Sequence, residues 1–342
     1  MMISSVNRSL VIGWYRRGNC GDDAFVEAFQ SLLPGSELTF ATPNMTELRG
    51  ANGVVVPAHF DRVILGGGDV IKDYYLRQVP KDVALDIVGC GVGYESEMKQ
   101  LADRRVGRVL LRNQADVTLA SKAGVAARYV PDICFGIPPE KWQERGAASN
   151  IYRGGRKKRL GVILSAHPQS GTGQPKQGES AYFDYLQWEL ASTLDHLVPY
   201  YSVHWISFSV DPDAWDEGVG YLVRRKMQNR GDQFFAAYEA DRPLDQLALL
   251  SKMDLVLTMK FHGAIFSAIA GVPFISMGLT RKLTQFCEQE DLTDFLVAPY
   301  TFRKAVLVEQ IRAAEAPGVK ERLANIALKN CAAVEEAFKV FA

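Results

Sequence analysis

Short apolar runs alternate with amphipathic helical stretches along almost the whole of this chain, and that alternation is its strongest constraint. In the first half, β-type runs fall at residues 9–13, 37–40, 62–65, 83–88, 108–112 and 127–130. Helical periodicity separates them at 23–33, 69–77, 94–101 and 115–123. The second half repeats the rhythm, with strands expected at 160–164, 202–208, 233–236, 254–258, 273–277 and 295–298. Its helices are expected at 180–197, 212–227, 244–252, 263–270 and 282–288, and a largely helical stretch at 306–341 breaks near Pro317 and Gly318. Strands joined through helices form parallel sheets covered on both faces. The 342 residues are too many for one ordinary core and suit two domains. Residues 137–159, with Pro, Gly, Ser and a terminal basic cluster, have the composition of a linker. The expected fold is α/β, with two Rossmann-like domains (1–150 and 151–342) facing each other across a cleft in a GT-B-like arrangement.

Composition excludes several function classes. Lys plus Arg and Asp plus Glu both number 39, so the formal net charge is zero, and broad nucleic-acid binding lacks its basic field. No apolar run reaches the ~20 residues of a membrane span. The apolar patch near Trp14 is too short for a secretory signal and reads as the first strand. The five Cys are far apart with no CxxC pair, which argues against a zinc cluster or a disulfide framework and for reduced thiols in the cytoplasm. Cys20 reads as a small buried thiol.

The most telling local stretch is 258–273, TMKFHGAIFSAIAGVP. An apolar run stops at Thr258; Lys260, His262 and Gly263 follow, and then a helical pattern that Gly271 and Pro273 end. Lys260 and His262 therefore lie where a strand's C-terminal end turns into a helix. In open α/β sheets ligands bind there, and a helix N-terminus favours an anion. A bland alternative is a histidine that merely packs under a loop.

Glycine-rich loops follow two strands of the first half. After the first strand comes GWYRRGNCGDD, in which Gly18 and Gly21 allow close backbone approach. Asn19 can orient this loop or bond a sugar, and Asp22 can serve as a helix N-cap or as a base. The third strand runs into Gly66, Gly67 and Gly68, but Ile71 stands where a dinucleotide fingerprint needs its last glycine. No Walker A loop is present either. In the second half, His167 follows the first strand, ahead of a Gly- and Gln-rich loop at 171–178 that could close over a substrate. His59, His196 and His204 read as structural or exposed.

Taken in order, these stretches resemble the polysaccharide pyruvyl transferase family. The resemblance rests on the loop from Gly13 to Asp23, on Ile64-Leu-Gly-Gly-Gly, on Leu111-Arg-Asn-Gln and on Pro131-Asp132. Its strongest part is Lys260-Phe-His-Gly-Ala-Ile-Phe-Ser…Gly-Val-Pro, with Lys282 following. It spans about residues 10–290. Lys260 stands where the family usually has Arg, and Asn113 where it has Asp. A lysine is a point charge and cannot fork onto a carboxylate or phosphate.

The resemblance implies transfer of the enolpyruvyl unit of phosphoenolpyruvate onto two sugar hydroxyls, forming a cyclic ketal and releasing phosphate. It implies His262 as the acid and Asp22 as the group that orients or deprotonates the acceptor. Lys260, Arg112 and Lys282 would hold the donor, with Asn19, Gly67, Gly68, Gly263 and His167 lining the substrates. The first domain would take the acceptor and the second the donor. No cofactor and no metal are expected, phosphoenolpyruvate being a substrate. The acceptor would be a sugar of a polysaccharide or its lipid-linked precursor. Such acceptors usually lie at the inner membrane face, which implies a cytoplasmic protein with a peripheral membrane contact. The basic cluster at 153–159 could make that contact, although a solvated linker is the simpler reading. Two other functions fit the same architecture: a GT-B glycosyltransferase using a nucleotide sugar, with Glu288 or Glu290 on the ribose, and a non-catalytic protein that kept the fold.

Overall fold

The computed structural model describes residues 7–42, 60–143, 145, 157–165, 179–211, 215–278, 280–298 and 301–341. The chain divides into two compact units, the first formed by Met1–Arg17, Asp22–Pro138 and Lys329–Ala342, the second by Gly18–Gly21 and Pro139–Leu328.

The first unit is built on β1 (Asn7–Ile12), α1 (Cys20–Leu32), β2 (Ser36–Ala41), β3 (Arg62–Gly68), α2 (Asp73–Leu76), β4 (Leu85–Cys90), α3 (Glu95–Ala102), β5 (Val106–Leu111), α4 (Gln114–Lys122) and β6 (Arg128–Tyr129). Its six strands pair in parallel in the order β2-β1-β3-β4-β5-β6. The strand order reverses between β1 and β3, so the two glycine-rich loops leave the sheet side by side at the switch point, where doubly wound sheets bind ligands. Leu10, Ile12, Leu65, Ile87 and Leu111 are buried at the sheet's centre and pack with Met98 and Leu101 of α3.

The second unit contains β7 (Lys158–Ile163), α5 (Glu179–Leu197), β8 (Tyr201–Ile206), α6 (Asp216–Lys226), β9 (Gln233–Ala236), α7 (Pro243–Leu250), β10 (Leu255–Thr258), α8 (Phe261–Ile269), β11 (Phe274–Met277), α9 (Arg281–Gln289), β12 (Leu296–Val297), α10 (Lys304–Ala314) and α11 (Val319–Phe338). Its strands, also parallel, run β12-β11-β10-β7-β8-β9. Counted from β7, this is the Rossmann order, with the switch point between β7 and β10. The junction at Lys260 and His262 is therefore at that switch point. Among the described residues, no helix is long and apolar enough to cross a membrane.

Two pieces of chain differ from the expected division at residue 150. The end of α11 and the residues after it belong to the first unit. Phe338 packs edge-on against Phe29 with ring centroids 6.1 Å apart, and Arg62 and Arg108 both lie over the Phe341 ring. Arg62 also donates to the Phe341 carbonyl at 3.0 Å. Buried aromatic area of this kind outweighs the sequence distance it spans. Conversely, Gly18–Gly21 clusters with the second unit, because Cys20 N–H donates to Phe208 O at 2.9 Å and Val210 N–H to Gly18 O at 2.9 Å.

Candidate active site

In the second unit, the turn from β10 into α8 is built by Thr258. Its hydroxyl donates to Lys260 O at 2.9 Å and accepts from Lys260 N–H at 3.0 Å. Lys260 occupies the N-cap position in extended conformation, and the helix starts at Phe261. His262 is thus inside the first turn, one residue earlier than the expected helix start at Gly263. Gly263 is buried, and a Cβ there would overlap the Thr258 hydroxyl and stand 3.0 Å from Ile163. Its lack of a side chain is required by the turn itself.

Lys260 turns its ammonium onto Asp216, 2.9 Å from Oδ1. Asp216 is buried, and its Oδ2 accepts from Phe208 N–H at 3.1 Å. Burial raises the Asp216 pKa to about 6; Lys260 and the backbone donors only partly counter it. Sequence reasoning missed this residue. An acid in the first turn of a helix is ordinary dipole complementation, and nothing local reveals that it faces a lysine of a different loop.

The half-buried His262 ring contacts Phe261 and Phe266, with centroids at 5.1 and 6.2 Å. The Gly18–Gly21 segment lies against it. A Cβ on Gly21 would overlap Nδ1 of the imidazole. Asn19 folds its Oδ1 back to accept from Gly21 N–H at 3.1 Å, and its backbone forms an antiparallel bridge with Ser209. Asn19 therefore orients the loop. Lys282, on the first turn of α9, places its ammonium 6.0 Å from the Phe261 ring centroid. Lys260, His262, Gly263, Asn19 and Lys282 are thus all within this unit. His167 lies outside the described residues, as do His59 and the loop at 171–178.

In the first unit, Asp22 and Asp23 both fall in the first turn of α1, so neither is the N-cap. Asp23 accepts from Arg16 N–H at 2.6 Å. Asp22 Oδ1 stands 3.1 Å from where a Gly68 Cβ would be. Two phenols share its surroundings. Burial, then Cys90 and Asp22, raise the pKa of Tyr15, which donates to the Gly66 carbonyl. Tyr75 is raised likewise by burial and then by Asp22. Gly67 and Gly68 adopt the left-handed φ values of 68° and 70°. At Gly67 a Cβ would overlap the Phe25 ring of α1. The bare Gly67 backbone thus makes room for the packing of α1 on the end of β3.

Arg112 ends β5 with a side chain only 1% exposed. It is bonded to Asp69, beyond the β3 glycines, and its other nitrogen is 3.7 Å from Asp132. Burial opposes its charge, but Asp69 and then Asp132 more than offset this, so its pKa is raised. A Cβ on Gly91 would come within 2.5 Å of Asp69 Oδ1 and 2.8 Å of Arg112. Arg112 is therefore a buried clamp between the loops after β3 and β6, packed against Gly91 after β4. Asn113, in place of the expected Asp, donates to Asp116 Oδ2 at 2.7 Å, and that carboxylate also accepts from Val92 N–H at 3.0 Å.

Comparison with known proteins follows the same lines. The family model described as Polysaccharide pyruvyl transferase matches residues 19–280. No curated protein matches the sequence. Among solved structures, the chain is similar to a UDP-GlcNAc 2-epimerase from Neisseria meningitidis bound to UDP-GlcNAc, with TM-score 0.61, 11% identity and 98% of each chain covered. It is also similar to a trehalose-6-phosphate synthase, with TM-score 0.58, 10% identity and 98% of each chain covered. A third likeness is to S. aureus MnaA in complex with UDP, with TM-score 0.58 and 10% identity over 96% of this chain and 92% of that one. These likenesses establish the fold, two Rossmann-like domains of the type found in GT-B enzymes and sugar-nucleotide epimerases.

Proposed function

The chain belongs to the polysaccharide pyruvyl transferase family, and from that premise we propose that it transfers the enolpyruvyl group of phosphoenolpyruvate to two hydroxyls of one sugar. The acceptor is a polysaccharide or its lipid-linked precursor. The observation that carries this reading is the family match over 19–280, which takes in both the Asn19–Asp22 loop and the β10–α8 turn with His262.

The terminal carbon of the enol takes a proton and leaves an oxocarbenium-like centre at the carbon bearing phosphate. One hydroxyl adds there, phosphate departs with its bridging oxygen, and the second hydroxyl closes the ketal. Of the two hydroxyl protons released, one balances the proton placed on carbon and the other leaves with phosphate or solvent. His262 has the right chemistry for the acid, since an imidazole can hold a proton and hand it to carbon. A donor bound beside it, at the first turn of α8, would have its anionic groups near backbone N–H groups and the positive end of the helix dipole. Lys260 and Lys282 supply positive charge in the same unit. In the first unit, Asp22 is the carboxylate suited to accept a hydroxyl proton.

Phosphate release from phosphoenolpyruvate, measured with a panel of β-galactosides, glucosides and N-acetylhexosamines, tests the reading. Acceptor-dependent release should fall by roughly 100- to 10,000-fold in His262→Gln, the range for loss of a general acid. Near-normal turnover in that variant would remove His262 from the reaction. Binding of nucleotide sugars but not of phosphoenolpyruvate would replace pyruvyl transfer with glycosyl transfer.

A further inference from the structure

We propose that Gly21 is a positioning residue for His262, and that the Gly18–Gly21 segment is the wall that sets the orientation of the imidazole. The proposal rests on the reading of His262 as the acid and adds a determinant from the far end of the chain. The segment is tied at three points to the loop after β8. Cys20 N–H donates to Phe208 O, Val210 N–H donates to Gly18 O, both at 2.9 Å, and Asn19 bridges Ser209. That loop is itself fixed from below, where Asp216 accepts from Phe208 N–H at 3.1 Å. These contacts oppose movement of the strap away from the ring.

Two glycines make the fit. Gly18 has a φ of 71°, and a Cβ there would come 2.7 Å from the Val210 side chain. Gly21 is bare where the ring lies against it: a Cβ would overlap Nδ1 and come 2.8 Å from the carbon between the two nitrogens. Asn19 Oδ1 holds Gly21 N–H at 3.1 Å, so the Gly21 backbone is itself anchored. Phe261 and Phe266 flank the ring. A methyl at Gly21 must therefore turn the imidazole away from its position or lift the strap.

The test is Gly21→Ala, read in two ways. Carbethoxylation of His262 by diethyl pyrocarbonate, followed by peptide mass spectrometry with the exposed His196 as internal reference, reports the ring's surroundings without any assumed activity. Its rate relative to His196 should change several-fold. Turnover on phosphoenolpyruvate and acceptor should fall about 100-fold, as for a misplacement of about 1 Å, with KM for phosphoenolpyruvate within a few-fold of the natural protein. Unchanged His262 reactivity overturns the proposal, and so does changed reactivity with unchanged kcat.

A stability cycle covers the case in which Gly21→Ala folds poorly. Gly21→Ala should lower Tm in the natural background and leave it unchanged in His262→Ala, where the clash has no partner. Equal losses in both backgrounds overturn the contact. If the natural protein releases no phosphate with any acceptor, pyruvyl transfer fails, while the carbethoxylation and Tm readings still decide the role of Gly21.

Discussion

Replacing Asp216 by Asn should reverse the usual expectation for an ion pair. Asp216 and Lys260 are 2.9 Å apart, and a count of salt bridges would credit this pair with stability at neutral pH. The carboxyl is nevertheless raised from 3.8 to about 6, because burial costs the charged form more than Lys260 and the Phe208 and Ser209 backbone donors return. Between pH 4 and pH 6 the folded state then holds a proton that the unfolded state has released. Stability falls as pH rises through this window and is level above it, and the rise in pKa corresponds to about 3 kcal/mol. Asn at this position resembles the protonated acid and has no such slope. The assay is urea unfolding of both proteins from pH 4 to pH 7.5, with the difference taken at each pH so that all other titrating groups cancel. Relative to the natural protein, Asp216→Asn should gain about 3 kcal/mol across that range. A constant difference, or a gain by the natural protein, would refute the argument that burial outweighs the pair. What Asp216 contributes is then its hold on Lys260 and the β8 loop rather than stability.

His204 should give the opposite slope. Burial, with Arg159 adding to it, lowers its pKa from 6.5 to about 4, so stability is lost as pH falls through that interval, again by about 3 kcal/mol. His204→Phe, which keeps the stacking on Phe234, should lose no such stability on acidification, and an unaltered pH slope in urea would contradict this. Arg112→Met should destabilise the first unit by about 3–5 kcal/mol, because Asp69 and Asp132 are left without their cation. Calorimetry showing a loss of less than about 1 kcal/mol would count against the clamp.

The fold was largely legible because most strands contain a short apolar run, and periodicity finds such runs wherever the sheet buries both faces. The run at 233–236 coincides with β9, and the run at 254–258 overshoots β10 by one residue. The helix expected at 69–77 is only Asp73–Leu76, with Lys72 extended at its N-cap and Asp69 bonded to Arg112. The end of α11 was not placed with the first sheet, since an amphipathic pattern says that a face is buried but not against which sheet. The same limit hid the ionic partners. Asp216 is 44 residues from Lys260 and Asp69 is 43 from Arg112, and no local spacing joins residues so far apart. Lys260 and Arg112 stood out as cations at strand ends, and the charges that hold them did not.

The glycines make the same point more sharply. A glycine at a strand end signals that something approaches the backbone closely, and a ligand is the tempting candidate. In this chain two such positions, Gly67 and Gly91, and two glycines in first helical turns, Gly263 and Gly21, are filled by the protein itself. Gly67 admits the Phe25 ring, Gly263 the Thr258 hydroxyl, Gly91 the Asp69–Arg112 pair, and Gly21 the His262 imidazole. The first two approaches serve packing and turn geometry. The last two each admit a polar or charged side chain against the bare backbone. The chemical meaning of a bare backbone position thus passes to the side chain that it admits. Gly18 and Gly21 read in the sequence as points of close backbone approach, and at Gly21 the group that approaches is the ring of the proposed acid.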